Sequence, residues 1–66
     1  MIREALVLAL SRVPYPYREI LVLRYLEELS LDEIAQALDI GLSAAKMRLS
    51  RARDFFKEAY DGATTR

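Results

Sequence analysis

The chain contains no cysteine and no histidine. The first absence excludes a disulfide framework and a thiolate zinc site. The second removes the commonest general base and the commonest metal ligand. Proline and glycine are scarce, two of each in 66 residues, and they fall where helices should begin or end. No apolar run approaches the roughly 18 residues of a membrane span. The opening Met1-Ile2-Arg3-Glu4 lacks the basic segment and apolar stretch of a signal peptide. The acids lie at helix caps and outer faces, so spacing assembles no catalytic grouping. These absences predict a soluble intracellular protein that is not an enzyme, uses no cofactor or metal and makes no membrane contact.

Net charge is missing too, since ten basic and ten acidic side chains cancel. A zero sum argues against nucleic acid only until the charges are placed. Residues 1–41 hold four basic side chains (Arg3, Arg12, Arg18, Arg24) and seven acidic ones, a net of −3. Residues 42–66 hold six basic and three acidic, a net of +3. Lys46, Arg48, Arg51 and Arg53 fall within eight residues, and no acid lies between residues 40 and 53. An even total can therefore hide a basic face, which is what a phosphate backbone meets.

What is abundant is apolar residue, 53% of the chain. A domain this small buries only about 60% of the surface its unfolded chain exposes. The surplus points to apolar surface kept for a partner.

Four helices and no strand are read, giving an all-α fold: a small four-helix domain, spanning 1–66 as a single unit, with a C-terminal helix-turn-helix. The helices cover about 2–12, 16–27, 31–38 and 43–60. In the first, Ile2, Leu6, Ala9 and Val13 step by 4, 3 and 4 along one face, and Pro14 stops it. Pro16 suits the first position of the second helix. The middle of that helix, Ile20-Leu21-Val22-Leu23-Arg24-Tyr25-Leu26, is apolar almost all round, as expected of a helix shared between core and partner. Ser30 and Glu33 form an S-x-x-E capping box for the third helix, flanked by Leu29 and Ile34 as a hydrophobic staple. Ile34, Ala35 and Leu38 face inward. Ser43 is a natural N-cap for the fourth helix, and Asp61-Gly62-Ala63-Thr64-Thr65-Arg66 reads as a helix stop with a frayed end.

The third and fourth helices are joined by a very short turn, the outline of a helix-turn-helix whose second helix enters the DNA major groove. Small Ala35 lets the two helices cross closely, and Ile40 plugs their junction. At 100° per residue, Ala45, Leu49, Ala52, Phe56 and Ala59 share an arc of roughly 80°. Lys46, Met47, Ser50, Arg51, Asp54 and Lys57 fall opposite, with Arg48 and Arg53 at the two edges. Lysine and arginine on that outer face can reach guanine edges or phosphates. The edge arginines suit phosphates on the groove walls. Ser43 and the free N–H groups of the first turn can bind one more phosphate. Any surface helix also shows a charged outer face, so the pattern permits DNA contact without requiring it.

Three segments then carry a resemblance. Arg18-Glu19-Ile20-Leu21-Val22-Leu23-Arg24-Tyr25, Leu29-Ser30-Leu31-Asp32-Glu33-Ile34-Ala35 and Lys46-Met47-Arg48-Leu49-Ser50-Arg51-Ala52-Arg53 resemble, in order and spacing, region 4 of the sigma-70 family. The similarity is greatest to its extracytoplasmic-function branch and covers roughly residues 5–60. It implies a winged-helix-like or sigma region 4 arrangement in the bacterial cytoplasm. It also implies recognition of the promoter minus-35 element in double-stranded DNA, docking on the β flap of RNA polymerase core, and control by an anti-sigma factor in some members. Carried over by position, Lys46, Met47, Ser50 and Arg51 contact bases and phosphates, with Arg48 and Arg53 in support. The apolar surface of the first two helices, Leu21, Val22, Tyr25 and Leu26 on the second, serves polymerase or an anti-sigma factor.

The chain departs from the family pattern in two places. Asp39 stands where glycine is usual in the turn, and Gly41-Leu42-Ser43-Ala44-Ala45 replaces P-V-G-T-V. The second change removes a possible phosphate-binding hydroxyl at 44 and some packing volume at 45. Region 2, which melts the minus-10 element, is not in the sequence, which makes the chain a fragment of a sigma factor or a stand-alone relative. The alternative is a sigma-like protein-interaction module that binds an anti-sigma factor or polymerase without reading DNA. A response-regulator output domain is a third reading, opposed by the long basic run.

Overall fold

The structure is a computed structural model that describes the backbone of residues 2–64 and the side chains of residues 3–62. Its elements are α1 (Ile2–Arg12), α2 (Tyr15–Leu21), α3 (Leu31–Leu38) and α4 (Leu42–Thr64). Between α2 and α3, residues Val22–Leu26 continue α2 as a wider π-helical turn. The described residues contain no strand, so the helical corner carries no wing.

α1 ends where Pro14 forbids its continuation. Pro14 then occupies the cap of α2 in an extended conformation, and its carbonyl accepts from Arg18 N–H at 2.9 Å. α2 thus begins at Tyr15, and Pro16 takes the second helical position, not the first. Neither place requires a proline N–H, so the shift costs nothing.

The π turn is marked by Glu27 N–H donating to the Val22 carbonyl at 3.0 Å, five residues back. Glu28 closes it with φ 61°, and Leu29 N–H reaches the Leu23 carbonyl at 3.0 Å. Arg24 ties the exit down by donating from Nη1 to the Leu29 carbonyl at 2.9 Å.

α3 opens on the full capping box. Glu33 N–H donates to Ser30 Oγ at 3.1 Å, and Ser30 N–H to Glu33 Oε1 at 2.8 Å. It closes on a Schellman arrangement, with Ile40 N–H on the Ala35 carbonyl (2.9 Å) and Asp39 N–H on the Gln36 carbonyl (3.2 Å). Asp39 sits at φ 56°, ψ 49°, the left-handed conformation that glycine adopts without penalty. It also places a carboxylate at the negative end of the helix dipole. Asp39→Gly should therefore raise stability by on the order of 0.5–1 kcal/mol after glycine's own entropy is subtracted. In a thermal melt that is a gain of several degrees, while Asp39→Ala gives a loss.

α4 departs from expectation at both ends. Ala45 N–H already bonds the Gly41 carbonyl at 2.9 Å, so the helix starts at Leu42 with Gly41 at its cap. Ser43 lies inside the first turn and is not the N-cap. At the other end the helix runs through Gly62 to Thr64. One interior glycine costs a helix only about 1 kcal/mol, too little to stop it here. Thr65, Arg66 and the side chain of Ile2, which entered the reading of the tail and of the first stripe, lie outside the described residues.

α4 is 23 residues long, about 35 Å at 1.5 Å per residue. It runs the length of a molecule whose longest dimension is 38 Å and packs against α1, α2 and α3. The buried residues are Ala9 and Val13 from α1 and its exit, Ile20 and Leu21 from α2, Ile34 and Ala35 from α3, and Ala45, Leu49 and Ala52 from α4. Four are alanines, three of them wholly buried, which lets the helices approach closely around the larger Ile20 and Ile34. Leu6, expected inside with Ala9 and Val13, is 43% exposed. The covered side of α1 carries Ala9, with Leu10 half-buried beside it, while Leu6, Val7 and Leu8 are left exposed. Tyr17 and Phe55, ring centroids 4.9 Å apart, pin α2 to α4 farther along.

Candidate nucleic-acid interface

Two things aim α4: the left-handed corner at Asp39 and the apolar arc beneath it. Ala45, Leu49 and Ala52 are buried, and Phe56 and Ala59 half-buried, so one side of the helix is fixed to the core. Ile40, in the turn between α3 and α4, is half-buried. The opposite side is free. Ser43, Lys46, Met47, Ser50 and Arg51 are all exposed, and Arg48 is half-buried at the edge.

The state of the cations separates them. Among the described residues, Lys46, Arg48 and Arg51 make no side-chain hydrogen bond or ion pair, and neither do Ser43 and Ser50. Their donors are unspent, and all but Arg48 stand at exposed positions.

Arg53 is different. Its Nε–H donates to the Tyr25 hydroxyl at 2.7 Å, and its guanidinium carbon lies 5.9 Å from the Tyr25 ring centroid. The structure thus gives Arg53 an internal partner that Lys46, Arg48 and Arg51 lack. Position 53 lies on the edge of α4 that meets the π turn, and Tyr25 takes its donor. Replacing Arg53 by Ala should leave DNA affinity nearly unchanged and cost about 1 kcal/mol of stability. A loss of DNA binding as large as that of a Lys46 variant would contradict this assignment.

Arg53 and Tyr25 form part of the rim of an apolar groove between α1, the π turn and α4. Leu6, Val7 and Leu10 of α1 line one side, Val22, Tyr25 and Leu26 the other, and Phe56 the α4 side. Tyr25 is 51% and Leu26 70% exposed, whereas Leu21 is 6% exposed. Leu21 is therefore a core residue at the groove's floor and not a free partner contact, because α2 turns that side toward the core. The α1 wall, Leu6 and Val7 with Arg3 beside them, supplies residues for the apolar surface expected on the first helix, for which the sequence reading named none. The run Leu6-Val7-Leu8-Ala9-Leu10, apolar on every side, was the signal available.

Among the described residues no three His, Cys, Asp or Glu side chains converge as a metal site requires, and no helix is long and apolar enough to cross a membrane.

The family model described as "Sigma-70, region 4" matches residues 3–55, the span from the start of α1 through the first half of α4. The chain belongs to the sigma-70 region 4 family. It is similar to the ECF RNA polymerase sigma factor SigW of Bacillus subtilis (strain 168), 38% identical over 47 residues, which is 71% of this chain and 25% of that protein. It is also similar to the RNA polymerase sigma factor SigV of the same organism, 43% identical over 44 residues, which is 67% of this chain and 26% of that protein. The chain thus spans about a quarter of the length of these sigma factors. No solved structure matches it at a comparable level. Within the sigma region 4 frame, the capping box and the Asp39 corner build the first helix and turn of the helix-turn-helix, and α4 is its second helix.

Proposed function

We propose that this region 4 domain reads the minus-35 element of promoter DNA with α4 and thereby helps recruit RNA polymerase for transcription initiation. The observation that carries the reading is the unpaired Lys46 and Arg51 on the outer side of a helix fixed to the core by its other side, with unpaired Arg48 at its edge. Lys46, Met47, Ser50 and Arg51 face the bases and nearest phosphates. Arg48, at the edge, suits a groove-wall phosphate. Ser43, freed from capping, offers its hydroxyl to a phosphate near the start of the helix.

The test is a mobility shift of the 66-residue chain against duplexes enriched from a random pool. Specific retention is expected, with log affinity falling against log salt by about 0.9 for each phosphate neutralised. No enrichment of any sequence would overturn the proposal.

The groove favours a second role for the same domain. Exposed Val7, Tyr25 and Leu26 are too apolar for a surface left to water, and two arginines, Arg3 and Arg53, stand among its lining residues. This is the surface we assign to the β flap of polymerase core or to an anti-sigma factor. It lies on a different face of α4 from Met47, so DNA and a protein partner can be held together. A Leu26→Asp variant should abolish polymerase association and preserve DNA retention. Loss of both, with the fold intact, would refute the separation of the two faces.

A further inference from the structure

The outermost line of α4 carries an unusual side chain for its place. Taking the buried arc as zero, Ser43, Met47 and Ser50 of the first half of α4, and Asp54 and Asp61 of its second half, lie between about 140° and 200° around the helix, directly away from the core. Ser43 and Ser50 are short. Met47 is long, apolar and 59% exposed, the most exposed large apolar side chain of α4 among the described residues. Lys46 and Arg51 flank it at about 100° and 240°. A helix entering a groove brings this crest closest to the base edges, and between two serines Met47 reaches deepest.

The floor of the major groove presents one apolar group, the C5-methyl of thymine; the other edges are hydrogen-bond donors and acceptors. A thioether chain can offer those polar edges no donor and only a weak acceptor, whereas it packs well on a methyl. We infer that Met47 is a specificity-determining residue that selects a thymine by contact with its methyl group. Arg51 is one helical turn beyond Met47, about 6 Å along the axis. With bases spaced about 3.4 Å, that thymine lies within about two base pairs of the position Arg51 contacts.

The inference rests on the proposed DNA reading, and one experiment separates the two. The 66-residue chain is first used to enrich duplexes from a random pool. Each thymine of the enriched site is then replaced singly by deoxyuridine, which removes only the methyl, and affinities are compared for the wild type and Met47→Ala. Loss of one buried methyl corresponds to about a fourfold drop in affinity. The expected result is such a drop at one thymine for the wild type, a similar drop for Met47→Ala on the unmodified site, and no further effect of deoxyuridine on the variant. Circular dichroism should show Met47→Ala as helical as the wild type, because the side chain supports no core contact. Neutral deoxyuridine at every position, or a methyl effect that survives in Met47→Ala, overturns the inference while leaving DNA binding standing. Failure to enrich any sequence overturns both.

Discussion

Replacing Lys46 and Arg51 together by alanine should reduce DNA affinity by two orders of magnitude or more and leave the helical fold unchanged. Both side chains are exposed and engage nothing else in the protein, so their removal exposes no cavity and breaks no internal bond. A well-formed side-chain contact to a base edge contributes about 1–3 kcal/mol, and two such contacts give a combined loss near 100-fold at the lower-middle of that range. Where one of them contacts a phosphate instead, the salt dependence flattens by about 0.9 of slope. Mobility shifts at two salt concentrations, with circular dichroism as the check on folding, measure both effects. An affinity within experimental error of wild type would show that α4 does not read DNA.

The second large effect lies in the core. Ile34 is wholly buried in α3 and belongs to the core cluster that Leu49 and Ala52 of α4 join. Cutting such a side chain back to alanine costs about 2–5 kcal/mol. A 66-residue domain has about 3–10 kcal/mol in total. Ile34→Ala should therefore leave the domain largely unfolded at 37 °C, seen as lost helicity and a melting temperature lower by tens of degrees. Ser30→Ala, which removes one arm of the capping box at the same helix, should cost only about 1 kcal/mol. An Ile34→Ala protein that melts with the wild type would mean that the core does not depend on this contact.

Much of this architecture was readable in advance because it depends on short-range rules. The S-x-x-E spacing at Ser30 and Glu33 specifies a helix start through bonds that span three residues, and the structure contains both. The stripe Ala45, Leu49, Ala52 follows the helical period and is buried as that period requires. Local rules failed where the deciding partner is distant. Arg53 sits at an edge from which a long side chain can reach either way, and Tyr25, 28 residues off, takes it. Leu6 falls on the core stripe by spacing yet is exposed, because the path of α4 determines which side of α1 is covered. Ser43 and Gly62 are favourable cap and stop residues by type. Gly41 opens the helix two residues earlier than Ser43 would, and no left-handed turn is imposed at Gly62. The wide turn at Val22–Leu26 leaves no side-chain signature, since it is a change in which backbone atoms pair. The roles of the individual DNA-facing residues came from resemblance more than from spacing, which cannot distinguish a working cationic face from a merely solvated one.

That wide turn holds one spare residue compared with an ordinary helical turn. A deletion within it would let the backbone close as regular helix, so the chain would survive the loss locally. A turn of either kind makes one full revolution, so everything beyond would keep its phase relative to α2. The same deletion in a regular turn of α4 would swing everything beyond it by about 100°. The spare residue is thus absorbed by widening one turn, and this short segment tolerates a single deletion better than the regular helices around it.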